Sequence, residues 1–356
     1  MQRLWHAVRD RLRMATRYAR TIIKNRIHRM GPRISARSHF PWPLGPVYER
    51  DALLLQAPGT GVGDNLLLTP ILREIRGRNP SCQITVLTRH PELFESNPNV
   101  AYVVTDYKRY ARRAIHVRYN HAFPMQVGRT AWMLSKVFQR NPLYRGYLFS
   151  TPSRTTLVSI MAESVGMQYE SNVLDAPIAL DDRIPTALDA RLGARFICVQ
   201  PRASAWTPNK TWPAEYWVNL ITRLSEHHTV VEVGQKSVFS DITCEARPEN
   251  YADLTGRTTL RDMLQIIGHS DLFIGPDSGG MHVARAYDVP SIIIYGGYSS
   301  PENFRYPNSV AFATDLPCAP CWLTTPCPFS LRCLTEIKVD MVYSAAMESM
   351  CKTEHH

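Results

Sequence analysis

Residues Asp271 to Gly297, DLFIGPDSGGMHVARAYDVPSIIIYGG, decide how the chain folds. The stretch opens on Leu272-Phe273-Ile274, a short apolar run of the kind that becomes a strand buried on both faces. Gly275-Pro276-Asp277-Ser278-Gly279-Gly280 reads as a loop, Met281, Val283, Ala284 and Ala286 begin a helix, and Ser291 to Tyr295 is a second buried strand. Strand, glycine loop, helix and strand in that order bring bare backbone N–H groups and a helix N-terminus to one point, which suits a phosphate or pyrophosphate. Gly279 and Gly280 let a ligand approach the backbone with no Cβ in the way. A tight turn of any α/β protein is the alternative that this stretch alone leaves open.

Working outward, the same grammar recurs. Phe196 to Gln200 is a buried strand, followed by a loop to Pro213, which suits the first position of a helix running to about His227. Arg202, Ser204 and Lys210 lie beyond the carboxyl end of that strand, where an α/β phosphate site would be. Val230–Val233 is a further strand, and Thr259 to Asp262 reads as a capping box opening a helix over Leu260–Ile267. In the first half, Asp51–Leu55 is a strand, Gly59 to Asp64 a glycine loop, and the amphipathic pattern to about Arg78 a helix. Strands follow at Ile84–Thr88, Val100–Thr105 and Ile115–Tyr119, helical stretches at Thr130–Phe138 and Thr156–Met167, and a Pro- and Asp-rich linker at Asp175–Pro185. The expected fold class is α/β, with two doubly wound Rossmann-like domains facing across a cleft.

The first glycine loop is neither of two familiar ones. A P-loop needs Lys-Ser/Thr after its last glycine, and no Lys follows Gly63. The dinucleotide fingerprint needs its third glycine three residues past the second, yet Gly63 stands two after Gly61, and Arg89 rather than an acid follows the second strand. NAD is therefore disfavoured. Asp64 falls in the first turn of a helix at the end of the first strand, where a carboxylate can accept a proton from an incoming hydroxyl; a plain N-cap is its other reading. Arg118 and Arg129, among several nearby arginines, form a candidate acceptor surface for an anionic substrate, or a solvated basic face.

Charge is unevenly placed. Of 41 Lys/Arg and 31 Asp/Glu, eleven and one fall in residues 1–37, leaving 30 of each in the rest. A nucleic-acid enzyme would spread its basic face over the folded body, so nucleic acid is not an expected partner. Residues 1–30 place Leu4, Trp5, Val8, Leu12, Ala15, Ile22 and Ile27 on one helical face and Arg3, Arg9, Arg13, Arg17, Arg20, Lys24 and Arg26 on the other. That is the pattern of an in-plane anchor on an anionic membrane surface; packing on the protein's own body is the alternative. No apolar run nears the roughly 20 residues a membrane span needs, and no export signal is visible.

Four of the eight cysteines cluster as Cys318, Cys321, Cys327 and Cys333, with Pro317, Pro320, Pro326 and Pro328 between them. Without an export signal, clustered thiolates suggest a structural metal, tetrahedral zinc or iron, against a proline-stiffened loop of reduced thiols.

Over roughly residues 51–345 the chain resembles glycosyltransferase family 9, the ADP-heptose:lipopolysaccharide heptosyltransferases and their relatives. The resemblance is carried by Gly63-Asp64-Asn65-Leu66-Leu67-Leu68-Thr69-Pro70-Ile71-Leu72-Arg73, by Lys210-Thr211-Trp212-Pro213 with Trp217, and by Asp277-Ser278-Gly279-Gly280-Met281-His282-Val283-Ala284. Tyr295-Gly296-Gly297 and the Cys318/Cys321 loop also fit. The resemblance implies a GT-B fold and a single inverting displacement without a catalytic divalent metal. It implies Asp64 as the base, Lys210 steadying the donor's phosphates, and Asp277, Ser278, Gly279, Gly280, Met281 and His282 holding diphosphate and sugar. Arg202 and Ser204 complete the expected donor site; Gly63, Asn65, Arg118 and Arg129 make the expected acceptor site. Departures are Ser278 where the family often has Thr, Gly279-Gly280 where it has Gly-Pro, and only Gln235, Ser237 and Asp241 where a ribose-binding Glu would stand.

The expectation is a basic arm over 1–45, an acceptor domain over 46–180, a nucleotide-sugar domain over 186–338, and a C-terminal helix over 339–356 that could return to the first domain. ADP-heptose is the favoured donor, a lipopolysaccharide-type glycolipid or surface glycan the acceptor, and the inner face of the cell membrane the location. A protein acceptor and a non-catalytic nucleotide-sugar-binding scaffold are the alternatives.

Overall fold

The computed structural model describes residues 52–56, 61–106, 109, 115–116, 156–163, 165, 167–181, 195–203, 207–242, 247–316, 318–321 and 326–353. The basic arm, Arg118, Arg129, Ser204 and the expected helix over 130–138 lie outside them.

In chain order the first sheet comprises β1 (Ala52–Gln56), β2 (Gln83–Leu87), β3 (Tyr102–Val104) and β4 (Ile115–His116), with α1 (Val62–Leu66) and α2 (Thr69–Arg78) between β1 and β2, and α3 (Leu157–Glu163) following. Its order is β3-β2-β1-β4, every pair parallel, with Ala52 opposite Gln83 and Leu55 opposite both Val86 and Ile115. One helix was expected from the Asp64 loop to Arg78; two are found. Pro70 has no N–H to give the carbonyl of Leu66, and the Thr69 hydroxyl takes that carbonyl instead at 2.8 Å, so the chain breaks at Leu67-Leu68 and restarts.

The second sheet comprises β5 (Phe196–Val199), then α4 (Ala214–Leu224), β6 (Thr229–Glu232), β7 (Tyr251–Asp253), α5 (Leu260–His269), β8 (Leu272–Pro276), α6 (Gly279–Ala286), β9 (Ser291–Gly296) and β10 (Ser309–Ala313). Two helices close the chain, α7 (Arg332–Thr335) and α8 (Val339–Thr353). The sheet order is β10-β9-β8-β5-β6-β7, again parallel throughout. This is the doubly wound order, and its reversal falls between β5 and β8, the place where such sheets bind ligands. The buried runs that announced β5, β8 and β9 are buried at every position. The capping box of Thr259 and Asp262 is formed, and Pro213 sits one place earlier than expected, as the N-cap of α4. β8 runs on to Pro276 and α6 starts at Gly279, so the glycine loop is shorter than the sequence suggested.

Trp212 and Trp217 are fully buried, meeting edge to face at 5.3 Å, and Trp212 Nε1 donates to the Ile337 carbonyl at 3.0 Å. Val342, Ala346 and Met350 of α8 join the same core, and Arg223 of α4 pairs with Asp340 at 2.7 Å. The C-terminal helix therefore packs on the second sheet's α4.

The described part of the expected linker, residues 175–181, is a strap. At one end Asp175 pairs with Arg73, accepts from Asn97 at 3.1 Å, and donates its own N–H to the Thr69 hydroxyl oxygen at 3.0 Å. At the other end Gln265 bonds both the Ala179 carbonyl and the Asp181 N–H, and Tyr287 donates to the Ile178 carbonyl. Arg285 reaches the Asn172 carbonyl at 2.7 Å.

Candidate functional site

The short helix α1 carries Asp64 out of β1. Its N-cap is Gly61, with no side-chain cap, and Asn65 folds back to donate to the Gly61 carbonyl at 2.7 Å. The other end of that amide accepts from Thr88 at 2.6 Å, at the carboxyl end of β2. Asn65 is thus buried and occupied with shaping the loop, while Asp64 is half-buried one residue before it. Gly63 is buried against α6. A Cβ built on it would lie 2.9 Å from His282 Nε2 and closer still to His282 Cδ2. From the opposite side, a Cβ on Gly279 would lie 3.3 Å from Val62 Cβ. The starts of α1 and α6 therefore abut, and glycine on both is what allows it.

The second half of the site surrounds Asp277. This residue is 3% exposed, forms an ion pair with Lys210 at 3.0 Å and accepts from the Ser299 hydroxyl. Burial alone would raise its carboxyl; Lys210, Ser299 and His282 outweigh that and hold it below the usual carboxylate range. Lys210 comes from a single 3₁₀ turn, Pro208–Lys210, capped by the Thr207 hydroxyl on Asn209 N–H and rooted by the buried Trp212. Its ammonium also lies 4.4 Å from the centre of the Tyr298 ring.

His282, 5% exposed, shares a 2.6 Å hydrogen bond between Nδ1 and the Tyr306 hydroxyl and packs edge-on to Phe304. Burial lowers its pKa to about 4, with Asp277 pulling up and Lys210 pushing down, so the ring is neutral at pH 7. A neutral ring that accepts from Tyr306 at Nδ1 carries its proton on Nε2, the ring nitrogen on the Gly63 side. Ser278 is the N-cap of α6, yet its hydroxyl goes to Gln200 Oε1 at 2.9 Å rather than to the helix's first N–H groups. That bond spans the carboxyl ends of β5 and β8. Gly280 keeps Gln200 in place, since a Cβ there would strike Gln200 Oε1 and stand 2.6 Å from Phe273 Cζ. Met281 is buried and receives the Tyr295 hydroxyl at 3.3 Å.

Arg202 is placed differently from Lys210. It donates to the Lys236 carbonyl at 3.2 Å and pairs with Asp241, which Lys236 also meets at 2.9 Å. Next to this triad is a residue that the sequence reading passed over as one more strand position, Glu232. It is fully buried at the end of β6, with the Ser237 hydroxyl, the Val238 N–H and the Tyr251 hydroxyl directed at it. Burial raises its pKa despite those donors. Tyr298, Ser299 and Tyr306 were missed for the same reason: their roles depend on partners 22 to 88 residues away.

Of the cysteines, Cys333 accepts from the Gly297 N–H; burial raises its thiol, and charge on Cys327 or Cys318 would raise it further. Cys321 N–H donates to the Gly297 carbonyl at 2.7 Å, and Phe329 N–H approaches Cys327 Sγ at 3.3 Å. Among the described residues no two cysteines are joined in a disulfide. Among the described residues no group of three or more His, Cys, Asp or Glu is arranged to hold a metal ion, so the zinc or iron cage expected from Cys318, Cys321, Cys327 and Cys333 is not formed.

The model of glycosyltransferase family 9 (heptosyltransferase) matches residues 153–327, which contain β5 to β10, Lys210 and the Asp277–His282 turn. This chain is glycosyltransferase family 9-like. A lipooligosaccharide heptosyltransferase 2 of Campylobacter jejuni is 26% identical over 201 residues, 54% of this chain and 61% of the relative, so the match spans less than two thirds of that protein. A lipopolysaccharide heptosyltransferase 1 of Pseudomonas aeruginosa is 31% identical over 137 residues, 37% of this chain and 38% of its own length. Among solved structures, ADP-heptose lipopolysaccharide heptosyltransferase II of Escherichia coli superposes with a TM-score of 0.58 at 16% identity, covering 85% of this chain and 99% of that one. The iron-containing dodecameric glycosyltransferase TibC of enterotoxigenic E. coli gives 0.61 at 17% identity, covering 87% and 78%. These likenesses give the family 9-like chain its fold, an α/β architecture of parallel sheets shared with heptosyltransferases of GT-B type. Among the described residues no helix is long and apolar enough to cross a membrane.

Proposed function

We propose that this glycosyltransferase family 9-like chain transfers a sugar, with heptose the favoured one, from a nucleotide-diphosphate sugar to a lipopolysaccharide-type glycolipid, with inversion at the anomeric carbon. In this reading, the two sheets belong to two lobes, 46–180 and 186–338, and the reaction takes place in the cleft between them. The observation that carries it is the meeting of α1 and α6 at Gly63 and His282, which brings the turn bearing Asp64 beside the turn bearing Asp277. Lys210 and the amide groups opening α6 receive the diphosphate; the Ser278 hydroxyl, turned to Gln200, leaves those amides to the ligand. The acceptor hydroxyl oxygen attacks the anomeric carbon and its proton passes to the Asp64 carboxylate. The bond from that carbon to the diphosphate oxygen breaks, and its electron pair leaves with the nucleoside diphosphate. Lys210 and the helix terminus stabilise the charge that builds there, so no divalent cation is needed for the step. A structural zinc or iron would require the four cysteines to draw together; one equivalent of either metal per purified chain would support it.

The arm over residues 1–30 is read as holding the enzyme at the cytoplasmic face of an anionic membrane, where such an acceptor is displayed; its basic amphipathic pattern supports this. The test of the donor is thermal denaturation with ADP-, UDP-, GDP- and CDP-sugars in turn. ADP-heptose at about 100 times its Kd should stabilise by about 2.7 kcal/mol. Equal or absent shifts with all four would refute the donor assignment.

A further inference from the structure

Lys210 is held by two groups of different kind. Asp277 pairs with the ammonium at 3.0 Å and is itself fixed by the Ser299 hydroxyl. The ring of Tyr298 takes the same ammonium over its face, at 4.4 Å from its centre. Tyr298 and Ser299 are neighbours, so one short turn leaving β9 supports both members of the pair. That turn is anchored on its other side. The Gly297 carbonyl accepts from Cys321 N–H at 2.7 Å, and the Gly297 N–H goes to Cys333 Sγ. Gly296 has φ of 58° and closes on Leu334, where a Cβ would stand 2.6 Å from Cδ2. The backbone below Tyr298 is thus fixed to α7 and the cysteine loop.

We infer that Tyr298 is a positioning residue for Lys210, aiming its ammonium at the diphosphate of the donor. This rests on the donor site proposed above. A carboxylate holds a lysine but also cancels its charge. An aromatic face attracts the cation through its quadrupole and adds no net charge, so the ammonium stays available to phosphate oxygens. A flexible four-carbon side chain fixed at two points loses less freedom when the ligand arrives. The turn from Gly297 to Ser299 thereby couples the cysteine loop to the phosphate-binding lysine.

The test is a double-mutant cycle read by calorimetric ADP binding to the full chain, with Tyr298→Leu, Tyr298→Phe, Lys210→Met and the double variants. Tyr298→Leu should weaken ADP roughly threefold to thirtyfold, the range of a partly desolvated cation–π contact. Tyr298→Phe, which keeps the ring, should stay within about twofold of wild type. In the Lys210→Met background Tyr298→Leu should have no further effect, because the residue acts only through the lysine. If Lys210→Met itself leaves ADP affinity unchanged, the donor site is wrong. If Lys210→Met weakens ADP but Tyr298→Leu does not, or weakens it equally in both backgrounds, the positioning role is wrong and the donor site stands. Loss with Phe as large as with Leu would assign the effect to the hydroxyl and also overturn the role. Tyr298→Met, which fills a similar volume without a ring, gives the same comparison should the Leu variant fold poorly.

Discussion

Gly63→Ala is the sharpest perturbation available at the meeting of α1 and α6. The added methyl would stand 2.9 Å from His282 Nε2 and 3.2 Å from its Cγ, where an unstrained carbon contact needs more than 3.4 Å. The imidazole cannot swing aside cheaply, because Nδ1 is bonded to the Tyr306 hydroxyl at 2.6 Å and the ring packs edge-on to Phe304 at 5.0 Å. Gly63 cannot retreat easily either, since Asn65 ties its helix to Gly61 and Thr88. Something must therefore separate, and overpacking of this kind costs about 1–3 kcal/mol. For a chain of 356 residues that is a fall in Tm of roughly 1–4 °C. The helix start bearing Asp64 would move from the Asp277 turn by a few tenths of an ångström or more, and sugar transfer should fall more steeply than ADP affinity, which depends on the α6 side alone. Differential scanning calorimetry and single-turnover transfer from ADP-heptose check the two halves. A Gly63→Ala protein with unchanged Tm and unchanged transfer would mean that α1 and α6 do not meet as described.

Other outcomes follow from the same contacts. Gly280→Ala places a methyl against Gln200 Oε1 and 2.6 Å from Phe273 Cζ, so it should destabilise by about 1–3 kcal/mol and weaken ADP binding by displacing Ser278; urea unfolding and calorimetry check both. His282 has a folded pKa of about 4 against 6.5 unfolded, so between these values the unfolded chain binds more protons, and stability falls as pH drops from 6.5 towards 4. Its share of that fall is at most roughly 3 kcal/mol, and unfolding midpoints of wild type and His282→Asn should diverge at neutral pH and converge near pH 4. Parallel curves across that window would refute the buried neutral ring.

The sequence announced the layers better than the fittings. β5, β8 and β9 were legible because both faces of each are covered and the apolar run is unbroken. β7 and β10 were not. β7 is three residues ending in Asp253, and β10 is an edge strand with Val310 exposed, so neither carries a buried run. The break at Thr69-Pro70 could have been read from proline's missing N–H. Lys210, Asp277 and His282 stood out through loop position and a recognised pattern. Their supports did not: Ser299 and Tyr298 are separated from Lys210 by almost 90 residues, and Glu232 hides inside a strand whose partners, Ser237 and Tyr251, arrive only once the next strand is laid down. Arg202 shows the converse, a residue type suited to phosphate whose guanidinium is directed at Asp241 by tertiary packing.

One experiment addresses the central claim, that the α1 carboxylate takes the acceptor's proton across from the α6 diphosphate site. Asp64→Asn is assayed for single-turnover transfer at saturating ADP-heptose, with ADP affinity measured alongside. The rate should fall by about 100-fold or more, the usual worth of a general base, with ADP affinity within about twofold of wild type. Transfer at near wild-type rate would contradict it.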